Sequence, residues 1–158
     1  MSIRRDCLSM AGEYAVASEI CRRNLYAQVT LGHLKRTDIL VYNSETEKEL
    51  RIEVKAKQER EWPGQKGITS EDARLIFVDF QDKNKKMGRP DFYVLDSQDW
   101  RQFVDEIVKA SPKIIRIEKS PGNYYPIHED GYKGTGVKAS QIVAHKEKWE
   151  KLLGKLKS

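Results

Sequence analysis

Leu50-Arg51-Ile52-Glu53-Val54-Lys55-Ala56 alternates apolar and charged side chains without a break. A period of two is the signature of a half-buried strand, so Leu50, Ile52, Val54 and Ala56 face a core while Arg51, Glu53, Lys55 and Lys57 share the other face. Upstream, the runs 27–31 and 38–42 read as two shorter strands, separated by polar turns at 32–37 and 43–48. The simplest arrangement is a three-stranded meander in which the strand opened by Asp38 pairs as a hairpin with the strand that carries Glu53 and Lys55. That pairing brings the start of one strand beside the end of the other.

Before the meander, residues 9–24 follow a helical pattern in which Val16, Ala17, Ile20 and Cys21 occupy one arc, and Glu13 falls inside that arc. Glu19 falls outside it, where Arg23 at i+4 is the natural partner of a solvent-facing ion pair. A carboxylate on an apolar face is costly unless it has a partner or a cation, so Glu13 calls for an explanation that Glu19 does not.

Downstream, 58–66 reads as a polar loop around Trp62-Pro63-Gly64, followed by strands at 74–80 and 91–95 across a turn at 83–89. Ser97 is placed as the N-cap of a helix to Ala110 with Trp100, Phe103, Val104 and Ile107 on one stripe. A short strand at 113–117, an irregular Gly-, Pro- and Tyr-rich loop at 120–140 and an amphipathic C-terminal helix with Ile142, Trp149, Leu152, Leu153 and Leu156 complete the chain. This order predicts a single α/β domain over residues 1–158, a central mixed sheet flanked by helices.

Composition narrows the classes of function. Hydrophobic residues at 39% beside charged residues at 34% describe a globular domain rather than a disordered one. The N-terminus has no apolar run of a secretory signal, and no 18-residue apolar stretch occurs, so the expectation is a cytoplasmic protein with no membrane partner. Cys7 and Cys21, about 21 Å apart along a helix, cannot bridge each other and are read as reduced small hydrophobes. The net charge of +5 is concentrated in 133–158, where seven lysines face Glu147 and Glu150. Such a tail is either an electrostatic footprint for a phosphate backbone or a solvated helix face.

His33, His128 and His145 have no ligand spacing to one another and are not read as catalytic. Gly131, Gly134 and Gly136 match no phosphate-cradling pattern and are read as a surface loop. The set that carries chemistry is Glu13, Asp38, Glu53 and Lys55. Hydrolysing a phosphodiester needs hard oxygen ligands for a divalent cation, and a lysine beside them to hold water or phosphate. The three carboxylates are expected to surround a common point with the Lys55 ammonium within about one water of it.

Gly12-Glu13 in the first helix, Thr37-Asp38-Ile39-Leu40-Val41 and Arg51-Ile52-Glu53-Val54-Lys55 resemble the helix glutamate, the aspartate and the Glu-x-Lys of the PD-(D/E)XK nucleases. Archaeal Holliday-junction resolvases and small restriction-endonuclease-like proteins are the nearest subgroup. The resemblance covers residues 9–58, roughly a third of the chain. It implies a restriction-endonuclease-like fold and a Mg²⁺-dependent hydrolase acting on DNA, with Mn²⁺ able to substitute. Asp38 and Glu53 would be metal ligands, Glu13 a further ligand, and Lys55 the catalytic lysine. Thr37 stands where the name-giving motif has proline, and no subgroup motif follows residue 60. DNA against RNA, branched against linear substrates, and endo- against exonucleolytic action therefore stay open.

Contacts to nucleic acid are expected from Lys57 and Gln58 at the end of the charged strand, from Trp62 by stacking on a base, and from Lys146, Lys148, Lys151 and Lys155 in the basic tail. The competing readings are solvation for the polar residues and a core cap for Trp62. At the level of function, the alternative to a nuclease is a non-cleaving nucleic-acid- or protein-binding module of the same fold in a repair or defence complex. A homodimer would serve paired cuts.

Overall fold

The computed structural model describes residues 2–31, 34–82 and 88–157. Helix α1 (Arg5–Cys21) precedes strands β1 (Tyr26–Val29), β2 (Ile39–Asn43) and β3 (Lys48–Lys57). β4 (Trp62–Gln65), β5 (Ala73–Asp79) and β6 (Asp91–Leu95) follow, and then helix α2 (Ser97–Ala110). β7 (Ile114–Ser120), β8 (Asn123–His128), β9 (Thr135–Val137) and helix α3 (Glu150–Lys157) close the chain. The chain is thus α/β, with a mixed five-stranded sheet in the order β1-β2-β3-β5-β6 and, among the described residues, three α-helices.

The meander forms as the alternation requires: β1 and β2 pair antiparallel, and Ile39 of β2 stands opposite Ile52 of β3. β3 then runs parallel to β5, with Glu53 opposite Leu75 and Lys57 opposite Asp79. A parallel pair needs a long crossover, and residues 58–72 supply it. Because β5 sits between β3 and β6 and is covered on both faces, its run Ala73-Arg74-Leu75-Ile76-Phe77-Val78 is nearly all buried rather than alternating.

Two cores result. On one face of the sheet, Val16 and Ile20 of α1 and Leu152 and Leu156 of α3 pack on Ile39, Val41, Ile52 and Ile76. On the other, Trp100 and Val104 of α2 pack with Trp62, Phe77 and Leu95. Trp100 is fully buried, donates its indole N–H to the Tyr124 carbonyl at 2.7 Å and stacks on Phe103.

Several boundaries and placements differ from the sequence reading. α1 begins at Arg5, and both cysteines on it are free and exposed rather than packed. Glu19 keeps its pair with Arg23 at 2.8 Å but is buried at 7% exposure, because Arg89 also reaches it at 3.0 Å. The cap of α2 is Asp96 rather than Ser97: its carboxylate accepts from the Asp99 amide at 2.8 Å, and Asp99 returns the bond at 2.9 Å. That reciprocal box satisfies two helix-end donors at once.

The supposed loop 120–140 contains β8 and β9, and the supposed loop 58–66 contains β4. Pro121-Gly122, with Gly122 at φ +80°, is a hairpin turn joining β7 to β8. β4 pairs with β9 through Trp62 opposite Val137 and Gln65 opposite Thr135, contacts made across 75 and 70 residues of chain. The C-terminal helix is short, and Ile142 belongs to the core under α2 rather than to the stripe of α3.

Candidate active site

β2 parts from β3 at Asp38. The Asp38 amide donates to the Ile52 carbonyl at 2.8 Å, but the next amide along β3, that of Val54, is taken by the Asp38 carboxylate itself at 2.7 Å. The side chain thus replaces the departing strand as hydrogen-bond partner and fixes its own carboxylate in the opened fork. The paired register ends at Ile39–Ile52, so Asp38 sits at the mouth of the fork, next to the end of β3 that carries Glu53 and Lys55.

Glu13 reaches this fork because Gly12 precedes it. A Cβ on Gly12 would lie 2.8 Å from the Ala56 Cβ, so only a glycine lets α1 settle this closely on the end of β3. There the Glu13 carboxyl meets that of Asp38. Partial burial, then the Asp38 charge and a side-chain hydrogen bond with it, raise the proton affinity of Glu13 above the usual carboxylate range. Gly12→Val is expected to lift α1 off β3, lower stability by about 1–3 kcal/mol through overpacking, and reduce any activity that needs Glu13. A thermal melt and a turnover measurement on the same sample check this, and an unchanged melting temperature would contradict the close approach.

Glu53 is the third carboxylate. Its Oε1 is 3.0 Å from the Lys55 ammonium, and its Oε2 is buried with no hydrogen-bond partner. Lys55 is more open than Glu53, its side chain 39% exposed against 12%. Glu13, Asp38, Glu53 and Lys55 all line one cleft of about 1200 Å³. Among the described residues, no three carboxylate, histidine or cysteine side chains close into a metal-binding cluster. The expectation of three carboxylates about one point is therefore met only as two adjoining pairs, Glu13 with Asp38 and Glu53 with Lys55. Lys55 holds one oxygen of Glu53.

The donor set nonetheless suits a hard cation. Every candidate ligand is a carboxylate oxygen, one of them is buried without a partner, and the two acids that meet repel each other unless a proton or a cation lies between them.

The residues assigned to nucleic-acid contact lie in less favourable places. Lys57 is 3% exposed, salt-bridged to Asp79 at 2.9 Å, bonded to the Glu59 carbonyl and set over the Trp62 ring. Gln58 clamps the N-terminal segment, accepting from the Ile3 amide at 2.8 Å and donating to its carbonyl at 2.7 Å. Trp62 is 1% exposed, so its ring has no face left for a base.

In the tail, Lys146 meets Asp91 at 3.6 Å, Lys148 meets Glu150 at 4.0 Å and Lys155 meets Asp72 at 3.4 Å. Lys151 meets Asp99 at 2.7 Å and His145 Nδ1 at 2.8 Å. Burial and the Lys151 charge push His145 below its usual value, which keeps it neutral. Each tail lysine assigned to nucleic acid thus has an acidic neighbour. His33 lies outside the described residues. The sequence reading missed the further charged lining of the cleft, where Arg5, Arg36, Arg60 and Lys66 stand with Glu59 and Glu61. Arg60 and Lys66 flank Trp62-Pro63-Gly64, which was a local signal; Arg36, held by the Gly122 carbonyl and Asn123 Oδ1, gave none.

Set against known proteins, the chain matches no family model, no curated protein and no solved structure.

Proposed function

We propose that the chain is a metal-dependent nuclease of the PD-(D/E)XK type, with a restriction-endonuclease-like fold, that hydrolyses phosphodiester bonds in DNA. The observation that carries this reading is the meeting of Glu13 and Asp38 at the strand fork, beside a Glu53 oxygen that has no partner and a Lys55 that faces the cleft. Glu13, Asp38 and Glu53 would hold Mg²⁺ or Mn²⁺, which supplies Lewis-acid stabilisation of phosphate charge and an acidified water. The chain's own contributions are separate. The Val54 amide orients Asp38, the Gly12 contact positions Glu13, and the Lys55 ammonium lies where it can steady a phosphate oxygen or the attacking water. Arg5, Arg36, Arg60 and Lys66 line the same cleft, interleaved with Glu59 and Glu61, and give a polyanion cationic contacts there.

The test is cleavage of linear, circular and branched DNA by the purified chain with Mg²⁺, with Mn²⁺ and with chelator. Metal-dependent product is expected. Retained binding without product on any DNA or RNA would replace this reading with the non-cleaving module.

A thermal melt probes the site without requiring turnover. Because the proton affinity of Glu13 is raised on folding, the metal-free protein loses stability as pH rises from the ordinary glutamate value of 4.5 through the raised value. A bound cation offsets that loss. Mg²⁺ or Mn²⁺ at about a hundred times its Kd should raise Tm by roughly 5–10 °C at pH 7.5. The gain should shrink as pH falls to the ordinary glutamate value. Asp38→Asn should remove most of it, while raising the metal-free Tm by relieving the repulsion. A metal-induced shift of equal size in Asp38→Asn would place the cation elsewhere.

A further inference from the structure

The sheet face that carries Glu53 and Lys55 continues across β2 and β1, where no helix covers it among the described residues. α1 and α3 pack on the opposite face, and α2 lies over β5 and β6. On the open part, Tyr26 of β1 stands directly opposite Tyr42 of β2, and Gln28 opposite Leu40. Leu40 in turn stands opposite Arg51 of β3, and Tyr42 opposite Glu49. Tyr26, Tyr42 and Leu40 are exposed at 60%, 38% and 37%, although strand residues of these types ordinarily bury one face. Tyr26 leans along its strand, its hydroxyl donating to Gln28 Oε1 at 2.6 Å, and Arg51 is steadied by Ser70 Oγ at 3.0 Å.

We infer that this face is a stacking platform for an unpaired strand of nucleic acid, which leads that strand to the carboxylates at the fork. Leu40 and Tyr42 share one face of β2 at a step of about 7 Å, and Asp38 precedes them along the chain at the fork. The Tyr26–Tyr42 pair therefore begins about 13 Å from Asp38. Two aromatic rings on neighbouring strands, an aliphatic side chain between them and the site, and an arginine at the flank offer π-faces for bases and a charge for phosphate. Glu49 adds an acidic group to this face, directly opposite Tyr42 at the end away from the site.

A second copy of the chain is a poorer occupant. A stable protein interface needs about 1,000 Å² or more, far beyond two tyrosines and a leucine. The proposal rests on the nuclease reading only in naming the fork as the end toward which the strand runs.

The experiment is fluorescence anisotropy in chelator, so that no cutting intervenes, with single-stranded DNA, single-stranded RNA and blunt duplex DNA. Tyr26→Ala and Tyr42→Ala are each expected to weaken single-strand binding about tenfold and to leave blunt-duplex binding unchanged. The Tyr26→Phe/Tyr42→Phe pair should bind as the wild type does, since the ring face is what stacks. The two single-stranded arms show which sugar the platform accepts. Unchanged single-strand affinity in the alanine pair, an equal loss on blunt duplex, or a wild-type dimer that the alanine pair dissociates in sedimentation would each overturn the platform. Metal-dependent cleavage of single-stranded, linear, circular and branched DNA and of RNA, measured separately, reports on the nuclease reading: cutting with single-strand binding unaltered in the alanine pair removes the platform alone, and tyrosine-dependent binding without cutting of any form removes the nuclease alone.

Discussion

Lys55→Ala is expected to lower metal-dependent cleavage by about 10²–10³-fold while DNA affinity changes little. The ammonium lies beside Glu53 at 3.0 Å and is open to the cleft, so its charge is available as negative charge builds on phosphate or as water is deprotonated. A group that acts mainly in the transition state lowers turnover more than binding. The substitution also strips Glu53 of the partner of its Oε1 while Oε2 already has none, so metal affinity should hold or rise even as turnover falls. Asp38→Asn gives the complementary pattern: metal binding weakens, cutting stops, and DNA binds as well or better because one repelling charge is gone. Wild-type turnover in Lys55→Ala, measured under single-turnover conditions, would remove Lys55 from the chemistry.

Gly67→Ala is expected to be severely destabilising. Gly67 has φ +75°, and a Cβ there would lie 1.8 Å from Trp100 Nε1 and 2.1 Å from its Cε2. Trp100 cannot yield, since its Nε1 is committed to the Tyr124 carbonyl and its ring is fully buried against Phe103. Overpacking, a strained backbone and loss of the buried hydrogen bond act together, and a loss of about 4 kcal/mol or more follows. In a chain of this size that is a fall in Tm of about 10 °C or more. A melt within a few degrees of wild type would show that the crossover can move off α2.

The parts of this fold legible in the sequence are those whose signal is local. The alternation around Glu53 fixed the faces of β3, and with it the shared face of Glu53 and Lys55. The helical arc placed Glu13 toward the sheet, and the structure brings it to Asp38. What was not legible depends on long-range pairing. Pro63, Gly64 and Pro126 argue locally against strands, yet β4 finds β9 and β8 finds β7. Lys57 sat correctly on the charged face, but its burial depends on Asp79, which the parallel register with β5 sets directly opposite it. The partners of the tail lysines were hidden for a similar reason: counting charge along the chain registers the lysines but not Asp72, Asp91 and Asp99, which come from distant parts of the chain. The carboxylate-binding amide of Val54 could not be read at all, because it exists only where β2 and β3 separate.

The Gln58 clamp on Ile3 has a practical side. Ile3 and Arg5 line the cleft, whereas α3 ends beside Asn43 and Thr46, at the opposite end of the β2–β3 hairpin from the fork. A purification handle or fluorophore added ahead of Ser2 would emerge at the mouth of the cleft and compete with whatever enters it. One added after α3 leaves from the far end of the hairpin, which makes that terminus the attachment point for surface immobilisation.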